Sequence, residues 1–435
     1  MNSQRIQRHA RILTLAFAAT TAMWVCAYLS ILFMSKTGGE ILFLLSAICL
    51  FQASRYTKTL KESFWVGFES ALLNMLLIGT VVGYDLLGYG AGDSLWWFYG
   101  LFLTSLFIAI LGGFFRVSTK RINHNQMEID WRFRFSVVIA LLVFLMLITG
   151  GLVTGLEAGL AVPDWPNSYG HNMLLYPLSE MIAVENEGVF YEHAHRLTGM
   201  YVGLASFVYL TENFIWRSSK KVRFLAFCVF LFVCVQGLLG GLRVTGFLTF
   251  SQDRNVLQPN LWLGVVHGVL AQLIFVGFVW LAALLSPSSP SRLTACNKTN
   301  LFAKVLFLVM VIQLILGAIY RHMIGDDVLA AKSSHVLYSH IALAFVVLAF
   351  AILVGVRLIH TGEFLLKRLG IILHSLVSFQ LLLGGVSLII ILVQKDSSPS
   401  ASEVIVTTAH QANGALLLGA SFMAYLWSSQ LKVAS

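Results

Sequence analysis

The string QLLLGG at residues 380–385 has three near copies elsewhere in the chain. They are QLILGA at 313–318, QGLLGG at 236–241 and MLITGG at 146–151. In each copy a glutamine or methionine precedes a pair of small residues by four positions, so both lie on one face of a helix. Small residues let helices approach closely in a membrane. Ordinary helix packing would account for the glycines alone, but four copies in register favour a duplicated helical architecture.

These strings lie in a very hydrophobic chain. Of its 435 residues, 58% are hydrophobic and 11% are charged, whereas soluble domains contain about 25% charged residues. Apolar runs of about 20 residues, the length needed to cross a membrane, recur throughout. The sequence predicts an all-α polytopic membrane protein. The twelve predicted spans are 12–34, 38–53, 64–84, 95–115, 135–156, 196–215, 224–244, 261–285, 301–320, 339–358, 369–394 and 404–428.

The basic residues behind the net charge of +9 are distributed according to the predicted topology, so this charge does not indicate a nucleic-acid partner. With the N-terminus inside, all but seven of the 29 Lys and Arg residues fall in inner segments. The positive-inside rule therefore predicts that both termini are cytoplasmic. The membrane is expected to be a bacterial inner membrane. None of the five cysteines falls in an outer segment, so no disulfide is predicted.

The chain is expected to contain three parts. Residues 1–125 form about four extra transmembrane helices of unknown function, in which we expect no paired histidines and no buried acid cluster. Residues 126–290 and 291–435 form two pseudo-symmetric four-helix bundles, joined by a Ser- and Pro-rich link at 286–300.

Four histidines repeat with these halves. His195 and His267 are 72 residues apart, and His340 and His410 are 70 apart. All four map to the outer ends of even-numbered predicted helices, where an imidazole is costly unless it has a function. Two facing helices can hold a porphyrin with one imidazole on each side of the iron. Packing or a proton relay would explain a single histidine, and zinc would need more N or S ligands. The repetition favours two bis-histidine heme sites.

An acidic residue distinguishes the two histidine pairs. Glu192 lies three residues before His195, whereas the corresponding string around His340, VLYSHIALA, contains no acid. The first half is therefore predicted to carry out chemistry and the second to carry electrons. Helix capping is the alternative role for this carboxylate.

Three arginines on the predicted outer side are expected to pair with heme propionates, because a guanidinium binds a carboxylate bidentately. They are Arg196, Arg243 and Arg321. Snorkelling to the membrane interface is the alternative for each. Three further histidines lie at the same predicted outer surface and are alternates to the four predicted heme-ligand histidines: His193, His322 and His335.

Several strings together resemble the heme A synthase family, over about residues 135–430. The most specific are the GLAVPDWP loop and the E-x-x-H-R motif. The strings that carry the resemblance are GGLVTGLEAGLAVPDWPNSYG (150–170), E-x-x-H-R (192–196), VVHGVLA (265–271), LGAIYRH (316–322), YSHIALA (338–344) and TAHQANGALLLG (408–419).

The resemblance implies an eight-helix fold of two four-helix halves and an enzyme of cytochrome oxidase assembly. The family oxidises a methyl group of heme O to a formyl, by successive hydroxylations, to give heme A. By this resemblance His340 and His410 would ligate a resident heme b. His195 and His267 would hold the substrate heme O, and Glu192 would be the essential acid. Such a reaction needs an electron donor, and heme O synthase and oxidase-assembly factors are candidate partners.

The sequence departs from the family at two points, and other functions are compatible with it. Ile341 follows the third histidine, where many family members have arginine, and the chain lacks the outer-loop cysteine pair of some bacterial members. Residues 1–125 lie outside the resemblance. The alternatives are a diheme b-type electron-transfer cytochrome and a heme transporter or chaperone. Glu192 and the GLAVPDWP loop favour the enzyme, because a relay needs neither.

Overall fold

The structure of the chain, a computed structural model, describes most of its residues. The described ranges are 3–33, 38–84, 91–116, 130–177, 180–181, 188–246, 261–287, 297–323, 330–393 and 399–429. Most of the predicted link at 286–300 lies outside them. Within these ranges the chain forms twelve long helices and one two-stranded hairpin. The all-α prediction is confirmed, and each predicted span corresponds to one helix.

The order of the elements along the chain follows from their bounds. They are α1 Ser3–Phe33, α2 Gly38–Ser54, α3 Leu60–Tyr84, α4 Ala91–Phe114, α5 Trp131–Gly155, β1 Asn167–Ser168, β2 His171–Asn172, α6 Gly188–Ile215, α7 Lys220–Thr245, α8 Leu261–Leu285, α9 Asn297–Met323, α10 Ala330–Ile359, α11 Phe364–Val393 and α12 Ala401–Ser429.

Eight of these helices have the length and hydropathy needed to cross a membrane, judged on the described residues: α1, α4, α5, α7, α8, α9, α10 and α11. Helix α2 is apolar but shorter, and Glu40–Ser54 is its apolar part. Helix α6 is more polar because it carries Glu192, His193, His195 and Arg196 in two turns. The chain is an integral membrane protein, and the twelve crossings and their orientation stay predictions.

The helices divide into two compact units that do not follow chain order. The first unit is Met1–Leu142 with Pro166–Phe227, and the second is Val143–Trp165 with Cys228–Ser435. Helices α5 and α7 therefore contribute residues to both. The predicted boundaries at 125 and 290 stay predictions.

In the first unit, helices α1 to α4 form a four-helix bundle. Helix α1 packs against α2 and α3, and α4 packs against the same two helices. Glycine allows the close approach of α3 to α4, because a Cβ at Gly67 would lie 2.8 Å from the carbonyl oxygen of Ser105. Such close contacts between backbones are typical of helix packing in lipid.

A buried ion pair joins α1 to α3 in this bundle. The Arg11 guanidinium donates from Nε and Nη2 to the two carboxylate oxygens of Glu62, at 3.1 and 2.8 Å. The two side chains are only 6% and 3% exposed. The backbone N–H of Lys58 also donates to Glu62, at 2.7 Å. The Glu62 carboxylate therefore accepts hydrogen bonds both from the Arg11 guanidinium and from the backbone at the start of α3.

Aromatic contacts attach α6 to α1. The fully buried Tyr201 of α6 donates its hydroxyl to the carbonyl of Phe17 at 3.2 Å, and its ring lies 4.7 Å from the ring of Trp24. Nearer the start of α6, the rings of Phe190 and Tyr28 are 5.3 Å apart. These contacts fix the part of α6 that carries Glu192 and His195.

In the second unit, helices α9 to α12 form a second four-helix bundle. Each packs against two neighbours in the order α9, α10, α11, α12 and back to α9, while α8 packs against α9 and α12. Leucines from all four helices fill the core, and Leu306, Leu358, Leu373 and Leu417 are fully buried. These four helices lie within the predicted C-terminal half, 291–435, which stays a prediction. The helices of the predicted first half, α5 to α8, are divided between the two units.

The buried ion pair leads to a stability prediction. Glu62→Gln leaves the Arg11 charge buried without its partner, which should lower the free energy of unfolding by about 3 kcal/mol. Glu40→Gln is the control, because Glu40 is an exposed residue in the first turn of α2, and this change should cost less than about 1 kcal/mol. Thermal unfolding in detergent measures both variants, and equal shifts would contradict a structural role for the pair.

Candidate functional site

The C-terminal bundle brings two of the predicted histidines face to face. His340 of α10 and His410 of α12 have ring centres 6.5 Å apart, with the ring planes inclined at 67°. Imidazoles on opposite sides of one metal ion, with about 2 Å from metal to nitrogen and about 1 Å from nitrogen to ring centre, have centres about 6 Å apart. The observed spacing therefore fits a ligand set of two histidines.

A glutamine of the preceding helix contacts each of these histidines. Gln313 of α9 donates from Nε2 to the backbone carbonyl of His340 at 3.0 Å, and the same nitrogen lies 3.2 Å from the ring Nε2. Gln380 of α11 places its Nε2 within 3.3 Å of both ring nitrogens of His410. Asn413 donates to Gln380 Oε1 at 2.7 Å and holds that amide in place.

The same arrangement occurs a third time in the second unit. Gln236 of α7 donates to the backbone carbonyl of His267 of α8 at 2.9 Å. Three of the four repeated strings thus place their glutamine against a histidine of the next helix. The fourth string carries Met146, and the histidine predicted to correspond to it, His195, lies in the other unit.

The glycine four residues after each glutamine leaves room for the imidazole. A Cβ at Gly240, Gly317 or Gly384 would lie 3.2, 2.9 and 3.0 Å from Cε1 of His267, His340 and His410 respectively. A Cβ at the adjacent Gly385 would meet nothing within 4 Å. The repeated glycines were attributed to close helix packing, but at these three positions they accommodate a histidine ring.

Buried polar atoms without partners lie at two of these positions. The Nδ1 atoms of His267 and His340 and the Oε1 atoms of Gln236 and Gln313 are buried and make no hydrogen bond. Such atoms are uncommon in folded proteins and often indicate a functional site. No group of three or more His, Cys, Asp or Glu residues that could hold a metal occurs among the described residues. The His340–His410 pair therefore fits a metal that brings its other ligands with it, as the iron of a porphyrin does.

In the first unit, Glu192 forms a buried ion pair on α6. Its Oε1 accepts from Arg196 Nη2 at 2.6 Å, and the two side chains are 5% and 8% exposed. Arg196 also donates from Nη1 to the carbonyl of Asn167, at 3.1 Å. From the sequence, Arg196 was expected to pair with a heme propionate. The i, i+4 spacing of Glu192 and Arg196 is the signal that could have indicated their ion pair. His195 lies on the same two turns and is half-buried.

His193 has a packing role that the sequence did not indicate. It is fully buried, its Nδ1 lies 3.1 Å from Ser168 Oγ, and its ring centre is 5.2 Å from that of Tyr176. Ser168 belongs to the hairpin β1–β2, whose turn residues Tyr169 and Gly170 have φ of 49° and 78°. This contact fixes part of the long predicted outer loop against α6.

The two other predicted arginines contact the end of α5 and the segment that follows it. Arg321 donates to the carbonyl of Thr154 at 2.7 Å. A Cβ at Gly159 would lie 3.3 Å from Arg243 Nη1. Trp165, at the end of the same segment, contacts Gly241. Arg243 and Arg321 lie in the last turns of α7 and α9. From there, their guanidiniums contact the backbone of residues 154–159.

The remaining histidines lie in different settings. His322 of α9 packs on α8, because a Cβ at Gly264 would lie 2.6 Å from its Cε1. His335 is exposed on α10. His374 is 3.1 Å from the carbonyl of Ile352 and packs against Gly355. His195 and His267 belong to different units, so their pairing stays a prediction.

Comparisons with known proteins identify relatives of part of the chain. Residues 133–332 match the family described as cytochrome oxidase assembly protein. A heme A synthase of Parvibaculum lavamentivorans is 30% identical over 222 residues, which cover 46% of this chain and 61% of that protein. Heme A synthases of Azorhizobium caulinodans and Bradyrhizobium diazoefficiens are 29% and 28% identical, and each match covers 42% of this chain.

The matched region has clear limits. The chain spans 61%, 56% and 55% of the lengths of these three relatives. It includes Glu192, His195 and His267, whereas His340 and His410 lie beyond residue 332. The resemblance to heme A synthases is confirmed. Over residues 133–332 the chain is similar to the cytochrome oxidase assembly protein family.

Proposed function

We propose that the chain is a heme A synthase. It oxidises a methyl group of heme O to a formyl by successive hydroxylations and so provides heme A for cytochrome oxidase. The observation that carries this proposal is the pair of imidazoles, His340 and His410, 6.5 Å apart inside a four-helix bundle. The relatives that match the preceding part of the chain are named heme A synthase, which supports the choice of reaction.

His340 and His410 are proposed to hold a resident heme b. When bound there, such a heme supplies one-electron transfer. The surrounding residues position the two ligands. Gln313 and Gln380 fix them from α9 and α11, Gly317 and Gly384 give the rings space, and buried leucines of the bundle exclude water. Because this pair lies beyond the matched region, its assignment rests on this geometry.

His195 and His267 are proposed to hold the substrate heme O, with Glu192 as the catalytic acid. A carboxylate close to the substrate can accept and return the protons that successive hydroxylations require. Arg196 holds that carboxylate at 2.6 Å and is therefore proposed as its positioning residue. Arg243 and Arg321 carry charges suited to binding propionate groups of the hemes.

The setting of the reaction follows from the predicted topology. The heme sites would lie toward the outer side of a bacterial inner membrane, with both termini in the cytoplasm. Heme O would arrive from heme O synthase, and a separate electron donor would reduce the resident heme. Oxidase-assembly factors are the proposed recipients of the product.

A diheme electron-transfer cytochrome is the second candidate, because two histidine pairs would serve it equally well. A heme transporter or chaperone is the third. The buried pair of Glu192 and Arg196 favours the enzyme, since electron transfer between two hemes does not need a carboxylate held on one side only.

The test is expression in a host that makes heme O but not heme A, followed by extraction of the pigments. The chain should produce heme A or its hydroxylated intermediate. Glu192→Gln should keep the resident heme b and reduce product by at least about 100-fold, the usual contribution of an acid–base group. Glu157→Gln, in an exposed position of the same outer segment, is the control and should retain normal product formation.

Two results would contradict the proposal. Folded, heme-loaded protein that forms neither heme A nor the intermediate would exclude the synthase. Normal turnover of Glu192→Gln would leave Glu192 with only the structural role of pairing with Arg196.

Neighbouring glycines test the resident-heme site. Gly384→Ala adds a Cβ 3.0 Å from Cε1 of His410, and the ring must move to accommodate it. This variant should lose heme b, measured as bound heme per protein after purification. Gly385→Ala is a matched control on the same helix, where the added Cβ meets nothing within 4 Å. Equal heme contents in the two variants would mean that the position of the His410 ring does not decide heme binding.

A further inference from the structure

The hairpin β1–β2 packs against the part of α6 that carries Glu192. Its two strands are joined by Tyr169 and Gly170, which both have positive φ, as a tight hairpin turn requires. Each strand has only two residues, and an isolated two-stranded hairpin is at best marginally stable in water. The position of this hairpin therefore depends on its contacts with α6.

Two side chains of α6 contact successive residues of β1. Arg196 donates from Nη1 to the backbone carbonyl of Asn167 at 3.1 Å. Nδ1 of His193 lies 3.1 Å from the hydroxyl oxygen of Ser168, and both of these side chains are fully buried. Residues three positions apart are neighbours on the surface of a helix. His193 and Arg196 therefore act on β1 as a pair, from one face of α6.

The His193 imidazole also contacts the chain after the hairpin. The ring of Tyr176 lies 5.2 Å from that of His193 and is stacked on the ring of Tyr169, 5.6 Å away. Nε2 of His193 is buried and makes no hydrogen bond. Burying a polar atom without a partner is costly, so an apolar ring would fill this space at lower cost. What the imidazole adds is its Nδ1 contact with Ser168.

Arg196 connects the hairpin to Glu192. Nη1 of its guanidinium donates to the carbonyl of Asn167, and Nη2 donates to Oε1 of Glu192 at 2.6 Å. The guanidinium is planar and its donors keep a fixed geometry. Because the carbonyl of Asn167 fixes one nitrogen of this group, it also restricts where the other nitrogen can meet the carboxylate.

We propose that His193 is a positioning residue for Glu192 and acts through the hairpin and Arg196. By holding Ser168, the imidazole fixes the adjacent carbonyl of Asn167, which aligns the guanidinium with the carboxylate. This role deepens the proposed function and rests on it, because Glu192 is the proposed catalytic acid. It requires neither heme ligation nor proton transfer by His193.

Hydrogen–deuterium exchange of the full-length protein in detergent tests the contact between His193 and Ser168 without any assay of activity. His193→Phe keeps a ring but removes the nitrogen, and Ser168→Ala removes the hydroxyl. Each should speed amide exchange in residues 167–172 about fivefold, the effect of one lost hydrogen bond. The double variant should be no faster than either single variant, because both remove the same contact. His171→Phe, in an exposed position of β2, is the matched control and should leave exchange unchanged.

The link to Glu192 is tested by the same measurement, because coupling between two sites is reciprocal. Glu192→Gln removes the charge that holds Arg196, so it should also speed exchange of the hairpin, whereas the control Glu157→Gln should not. Unchanged exchange in both His193→Phe and Ser168→Ala would overturn the proposal, and so would unchanged exchange in Glu192→Gln.

The synthase assay then separates a positioning role from a structural one. His193→Phe should lower kcat about tenfold, because small misplacements of a reacting group are costly, while KM for heme O and the resident heme content stay unchanged. His193→Asn, whose amide can take the place of Nδ1, should restore most of the rate. Normal kcat in His193→Phe would overturn the proposal. If the unaltered chain forms no heme A, the synthase proposal fails, and exchange in Glu192→Gln still decides whether the hairpin positions this carboxylate.

Discussion

A histidine inside a membrane helix needs space for its ring and a polar partner. In this protein the preceding helix supplies the space and the partner together. The glutamine and the glycine of each repeated string lie one turn apart, so one face of the helix offers a donor and a gap together. Gln313 and Gly317 do this for His340, and Gln380 and Gly384 do it for His410. These contacts lie inside the bundle of α9 to α12 and hold the two histidine rings in position.

The first unit satisfies its buried charges in a different way. Arg11 and Glu62 neutralise each other between α1 and α3, and Glu192 and Arg196 do so on α6. Glu212 of α6 contacts His9 of α1, with Oε1 and Nε2 2.9 Å apart. Each of these charged groups is therefore held by a partner of opposite or complementary character, either on its own helix or on a neighbouring one.

The sequence predicted the helices well because a membrane span needs a long apolar run, and such runs are visible without knowledge of packing. It also predicted that His340 and His410 meet, since their repeat placed them at the same level of two helices. It did not predict that Gln313 and Gln380 contact them. The spacing of residues in the repeated strings shows which side chains share one face of a helix, but not which neighbouring helix that face contacts. The contact between His9 and Glu212 joins residues 203 positions apart, and no local pattern indicates it. The role of His193 depends on a hairpin that only the folded chain brings to α6.

The central claim is that His340 and His410 together hold a heme. The direct measurement is the heme content and absorption spectrum of purified protein carrying His340→Ala, His410→Ala or His374→Ala. His374 lies in the same bundle but faces Ile352 and Gly355, so it controls for the loss of any histidine. The first two variants should lose the stable b-type spectrum, and the third should keep it. Heme content that survives removal of either His340 or His410 would contradict it.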